Sequence, residues 1–135
     1  MKAKEMMDKD FVHVSKNDTI EAVSIKMEES KRFTAPVLDE KMKLVGWITS
    51  FNITKGLREG KETIADVMSP VEEIMTISED EPARNVVRAA SNKKLISIPI
   101  INDENQVIGV CRSVDVVDSM SSLYDIKVVK IYEAM

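Results

Sequence analysis

The sequence repeats itself, and that limits its possible folds more severely than its composition does. Laying Ser15 over Ser78 sets a spacing of 63 residues that runs without a gap to Ile53 over Val116. Val23 falls on Val86, Lys31 on Lys94, Pro36 on Pro99, Gly46 on Gly109 and Ser50 on Ser113. Apolar character follows: Val37-Leu38 matches Ile100-Ile101, and Leu44-Val45 matches Val107-Ile108. Upstream, Met6-Met7 aligns with Val67-Met68 at a spacing of 61, so the second copy has two extra residues between Ser69 and Met75. A proline and a glycine in register make chance a poor explanation.

Each copy has the same local grammar. Phe11 to Val14 and Ile74 to Ile77 alternate apolar and polar, as short strands do. Asp18-x-x-Glu21 resembles a capping box, and Glu81-Pro82 starts the second copy's helix with Pro at its first position. Ile20, Val23 and Met27 then share one helix face, as do Ala83, Val86 and Ala90. Lys31-Arg32 and Lys93-Lys94 place positive charge at the helix ends. Two apolar runs around a polar turn follow, centred on Pro36 and Gly46 and again on Pro99 and Gly109, and read as antiparallel hairpins. A last helix begins near Ser50 and Ser113, whose hydroxyls are good N-caps. Gly56 to Lys61, with two glycines, reads as the linker.

The order strand, helix, strand, strand, helix therefore occurs twice. A unit of about 60 residues has a marginal core by itself, so the two are expected to pack sheet against sheet as one α+β body. We divide the chain into repeat one at 1–60, repeat two at 61–122 and a tail at 123–135. The tail is expected to add a strand or to lead into a further segment of a longer protein.

Composition removes several function classes. The 135 residues carry a net charge of −4, which disfavours nucleic acid and anionic membrane surfaces. One cysteine, Cys111, and one histidine, His13, rule out an internal disulfide, a Cys-based zinc cluster and a multi-His metal site within one chain. No apolar run approaches a membrane span, and the opening MKAKEMMDKD has no signal-peptide core, so a cytoplasmic protein is expected. There is no nucleophile–base pair, P-loop or glycine-rich fingerprint; neither enzymatic activity nor a cofactor is expected. Cys111, on an apolar strand, reads as a buried small hydrophobe, and the nine methionines read as packing residues.

From about residue 3 to residue 120 the sequence resembles a tandem pair of CBS (cystathionine-beta-synthase-type) domains, a Bateman module. The landmarks are Glu5-Met6-Met7 and Asp66-Val67-Met68, the apolar-Pro-apolar and apolar-Gly-apolar strands, and a hydroxyl-x-x-Asp start to the last helix. The resemblance implies a pseudo-twofold pair of β-α-β-β-α repeats that performs no chemistry. It implies a regulatory module that binds an adenosine-containing ligand between its repeats: AMP, ADP, ATP, S-adenosylmethionine or methylthioadenosine. It also implies a homodimer acting on a fused or partner effector domain. The alternative is a ligand-independent structural or dimerisation module.

The resemblance assigns the ribose diol to an Asp at the start of the final helix; a carboxylate suits a diol because its oxygens only accept. Repeat two reads Arg112-Ser113-Val114-Asp115, keeping the Asp but replacing the hydroxyl by Arg. Arg112 either pairs with a phosphate or pairs with Asp115 and fills the pocket. Repeat one reads Thr49-Ser50-Phe51-Asn52, with Asn in the Asp place. One good site around Asp115 and one degraded or differently selective site around Thr49 and Asn52 are expected. Adenine-wall positions are His13, Val14 and Ala35 in repeat one, and Thr76, Ile77, Ile98 and Pro99 in repeat two, with core packing the competing role for several of them. His13 itself reads more simply as an ordinary strand histidine.

Overall fold

The two hairpins form in identical register. The computed structural model describes residues 1–93 and 97–124. Strands β1 (Thr34–Leu38) and β2 (Leu44–Thr49) pair antiparallel, with Pro36 opposite Trp47 and Val37 opposite Gly46. Strands β5 (Ser97–Ile101) and β6 (Val107–Arg112) repeat this, with Pro99 opposite Val110 and Ile100 opposite Gly109. Both hairpins shift register one step before the turn, between Val37 and Leu38 and between Ile100 and Ile101. Both turns carry a left-handed residue at the same place, Met42 (φ 65°) and Asn105 (φ 61°).

The strands expected before the first long helix are nearly absent. From Phe11–Val14 only Val14 joins the sheet, as a parallel bridge to Val37, and its counterpart is the two-residue strand β4 (Ile77–Ser78). Proline explains the shortening. A parallel ladder running back from Val14 needs the Pro36 N–H, and one running back from Ile77 needs that of Pro99; neither exists.

Helix boundaries depart from expectation by one residue at four starts. Thr19, not Asp18, caps α2 (Ile20–Ser30), accepting from the Ala22 N–H at 3.1 Å. Asp18 instead accepts from the Ser15 N–H. Helix α4 (Ala83–Lys93) begins just after Pro82. Thr49 rather than Ser50 caps α3 (Ser50–Arg58), and Arg112 precedes α5 (Ser113–Tyr124). Lys31 ends α2 in the left-handed conformation. The expected linker also begins later. Gly56 lies buried within α3, where a Cβ would come 2.8 Å from Ile20 Cδ1 and Val67 Cγ1; Gly60 (φ 72°) makes the turn.

The leading segments of the repeats trade places. Helix α1 (Ala3–Met6) buries Ala3 and Met6 among Ile77, Val86, Ile98, Ile100, Cys111 and Val116 of repeat two. Reciprocally, Ile64, Val67 and Met68 join the core of repeat one with Val14, Ile20, Val23, Met27, Val37, Ile48 and Ile53. The sheets record the same trade. Asp8 bridges Val110 on β6, and β3 (Ser69–Pro70) pairs with β2. Each repeat thus completes the other's core and sheet, yielding two three-stranded sheets in a mixed α+β body. Among the described residues no helix is long and apolar enough to cross a membrane. The tail beyond Tyr124 and the Lys94 end of α4 lie outside the described residues.

Candidate functional site

Because Asp8 crosses to β6, the chain that follows it runs along the junction of the repeats. A cavity of about 130 Å³ opens there. Phe11, Val12, Phe33, Pro36, Val110 and Val114 supply its apolar lining. Thr34, Ser97 and Ser113 supply hydroxyls, and Lys31, Arg32, Arg112 and Asp8 supply charge. An apolar wall with a few convergent polar groups is the usual make-up of a small-molecule site. The volume falls below the roughly 300–1,000 Å³ of typical small-molecule pockets.

The charged groups form a chain across the junction. Arg32 Nη2 lies 3.1 Å from Asp8 Oδ2, and Arg112 Nη2 lies 3.7 Å from the same oxygen. Arg112 also grips Asp115 in a bidentate pair, Nε to Oδ2 and Nη2 to Oδ1, both at 3.1 Å. The Arg112 backbone N–H donates to Asp115 Oδ2 at 2.8 Å. Of the two roles open to Arg112, the structure displays the pairing with Asp115. Arg32 Nε is buried without a hydrogen-bond partner, although Nη1 donates to Ser30 O.

Repeat one builds the matching turn without charge. Asn52 Oδ1 accepts from the Thr49 N–H and from Thr49 Oγ1, both at 2.9 Å, and the Asn52 N–H donates to Thr49 Oγ1 at 3.2 Å. Both lone pairs of that oxygen are thereby used. Asn52 and Asp115 hold equivalent helix starts, but only Asp115 has a second oxygen facing a side chain that can move away.

The structure brings Arg112, Ser113 and, through Arg112, Asp115 to this cavity. Thr49, Asn52, His13, Val14, Ala35, Thr76, Ile77, Ile98 and Pro99 are not in its lining. Val14, Ala35, Ile77 and Ile98 are buried in the two cores, and Pro99 is buried on β5. Thr76 is exposed. His13 is exposed too, 5.7 Å from the Phe11 ring, and its carbonyl accepts from Lys26 Nζ. Partial burial, then the Lys26 charge, holds its pKa below the ordinary value. Cys111 is buried, and desolvation pushes its thiol up to about 12. The reading from sequence missed Asp8, Phe11, Val12, Arg32, Phe33, Thr34 and Ser97. The 61-residue spacing of Met7 and Met68 marked the leading segments as repeated, but not that they cross to the other repeat.

The CBS domain family matches residues 3–59 and again residues 64–122. The chain belongs to the CBS domain family. It is 39% identical over 137 residues to the uncharacterized protein MJ1004 of Methanocaldococcus jannaschii, covering 100% of this chain and 64% of that protein. This chain therefore spans less than two-thirds of that relative's length. The crystal structure of MJ1004 superposes with a TM-score of 0.85 at 38% identity, over 99% of this chain and 66% of the other. The CBS domain pair of protein MJ0100, crystallised in complex with 5′-methylthioadenosine and S-adenosyl-L-methionine, superposes with a TM-score of 0.79. Identity to it is 28%, over 91% of this chain and 98% of that one. CBS pairs thus include adenosyl-ligand binders with this fold.

Proposed function

We propose that the chain is a regulatory module that binds an adenosine-containing ligand at the junction of its repeats. The carrying observation is the cavity that joins an apolar wall at Phe11, Val12 and Pro36 to basic Arg32 and Arg112, with Asp115 immediately behind. In this reading the base lies on the apolar wall, Asp115 accepts from the ribose diol, and Ser113 at the helix start faces the group beyond the ribose. A likeness to the MJ0100 pair with its adenosyl ligands supports it. The equivalent turn at Thr49 and Asn52 is the weaker second site; by the symmetry of the repeats it faces the wall of repeat two, while His13, Val14 and Ala35 belong to the wall on the Asp115 side. Exposed Thr76 acts at that second site, and buried Ile77, Ile98 and Pro99 act there or in the core.

Ligand binding at a junction made from both repeats favours one relative arrangement of them, by as much as its affinity differs between arrangements. A fused or partner effector reads that arrangement. Exposed apolar side chains at matching helix positions, Leu57 on α3 and Met120 on α5, with Val117 one turn before Met120, support a homodimer through these helices.

A thermal-shift and calorimetry panel of AMP, ATP, S-adenosylmethionine, methylthioadenosine and NADH tests the binding. A ligand at a hundred times its dissociation constant stabilises the fold by about 2.7 kcal/mol. Silence from every ligand at millimolar concentration overturns the reading. One observation favours a ligand-independent dimerisation module instead: Arg112 already satisfies Asp115. Light scattering that shows a dimer indifferent to all five ligands selects that alternative.

A further inference from the structure

Arg112 stands where the family pattern has a hydroxyl, and it is bound to the very carboxylate assigned to the ribose. Its guanidinium covers both Asp115 oxygens at 3.1 Å. The fork and the Arg112 N–H together fill Asp115 Oδ2, and the fork also engages Oδ1, so a ribose diol that needs both oxygens meets Arg112 as a competitor. The ligand and Arg112 therefore compete for Asp115. Asp8 Oδ2 lies 3.7 Å from Arg112 Nη2, but Arg32 already holds that oxygen at 3.1 Å. Arg32 itself has a buried Nε with no acceptor, and Lys31 adds a third cation to the lining.

We propose that Arg112 is the specificity-determining residue of the cleft, a latch on Asp115 that opens for phosphorylated adenosine ligands. The proposal rests on the adenosyl-binding reading above and narrows its ligand class. A nucleotide brings two replacements at once: its diol takes over Asp115, and its phosphate takes over the guanidinium. A planar fork matches a phosphate as well as it matches a carboxylate, so the exchange conserves charge-assisted bonds. The same phosphate gives Arg32 Nε an acceptor. A neutral nucleoside such as methylthioadenosine breaks the pair and returns only the diol. A sulfonium ligand adds a fourth positive charge beside Lys31, Arg32 and Arg112.

The test is calorimetry of AMP and methylthioadenosine with the wild-type chain, Arg112→Thr and Arg112→Lys. Wild type binds AMP at least about tenfold more tightly than methylthioadenosine, the scale of one charge-assisted interaction. Arg112→Thr restores the family hydroxyl and removes the competitor, so methylthioadenosine tightens, AMP does not, and the preference collapses. Arg112→Lys keeps the charge without the planar fork, so both ligands tighten and the AMP preference survives. Methylthioadenosine binding that is the same in all three proteins, or a wild-type preference for it, overturns the latch while leaving the adenosyl site standing. Failure of both ligands to bind any of the three proteins overturns the adenosyl site and the latch together.

Discussion

Thr34 Oγ1 and Ser97 Oγ share a 2.6 Å hydrogen bond, and the two residues hold the same position, 63 apart, in the two repeats. A residue that meets its own counterpart lies on the pseudo-twofold axis. Lys43 and Gln106, also 63 apart, bridge across the same axis at the hairpin turns. The repeat is thus a symmetry of the folded chain, and the cavity opens beside its axis, with Thr34 and Ser97 in the lining.

Thr34→Val or Ser97→Ala leaves a hydroxyl at this junction without its partner. Each single change is expected to lower unfolding free energy by about 1 kcal/mol in urea titrations. The double variant is expected to lose less than the sum, because each single change already breaks the same bond. Strict additivity would show that the two hydroxyls do not interact.

Gly109 and Gly46 each make room for a methionine from the other repeat's leading segment. A Cβ on Gly109 would come 2.6 Å from Met7 Cγ, and one on Gly46 would come 2.5 Å from Met68 Sδ. Gly109→Ala is expected to destabilise by about 1–3 kcal/mol through overpacking. Adding Met7→Ala should return part of the Gly109→Ala loss. An undiminished Gly109→Ala cost in the Met7→Ala background would mean that the clash lies elsewhere.

Much of this fold could be read from the residues. The hairpins follow from Pro36, Gly46, Pro99 and Gly109 in register, and the helix faces of Ile20, Val23, Met27 and Val86 follow from their spacing. The shortened strands were hidden because a proline's effect falls on its neighbour: Phe11–Val14 alternates well, and the Pro36 carbonyl accepts from Val14, but Pro36 has no N–H to carry the ladder back to Val12. The trade of leading segments was hidden for a different reason. Met6 and Met68 are apolar enough for either core, so only tertiary packing decides which core each one fills. That trade is also what delivers Asp8, Phe11 and Val12 to the cavity.

His13 gives stability a slope near neutrality. Its folded pKa lies below the ordinary 6.5, so the unfolded chain takes up the proton first as pH falls. Stability is therefore expected to fall as pH drops through 6.5, modestly because the ring is largely exposed. Thermal melts between pH 7.5 and 5.5 should show this slope in wild type and a flatter one in His13→Gln. Equal slopes would assign the effect to other groups.

Cys111 is held protonated by burial, its thiol pushed up to about 12. At pH 8 a thiol reagent is expected to label the native protein far more slowly than the urea-unfolded chain. Equal rates would contradict the buried position on β6.

The proposed adenosyl site is tested most directly by AMP calorimetry on wild type, Asp115→Ala and Asn52→Ala side by side. Asp115 has a displaceable side-chain partner, whereas both lone pairs of Asn52 Oδ1 are taken by Thr49 in its own turn. Asp115→Ala should weaken AMP by about tenfold or more, the cost of losing hydrogen bonds to a charged acceptor, with little change from Asn52→Ala. Equal losses from both variants, or AMP binding untouched by Asp115→Ala, would show that the ligand is not organised by Asp115.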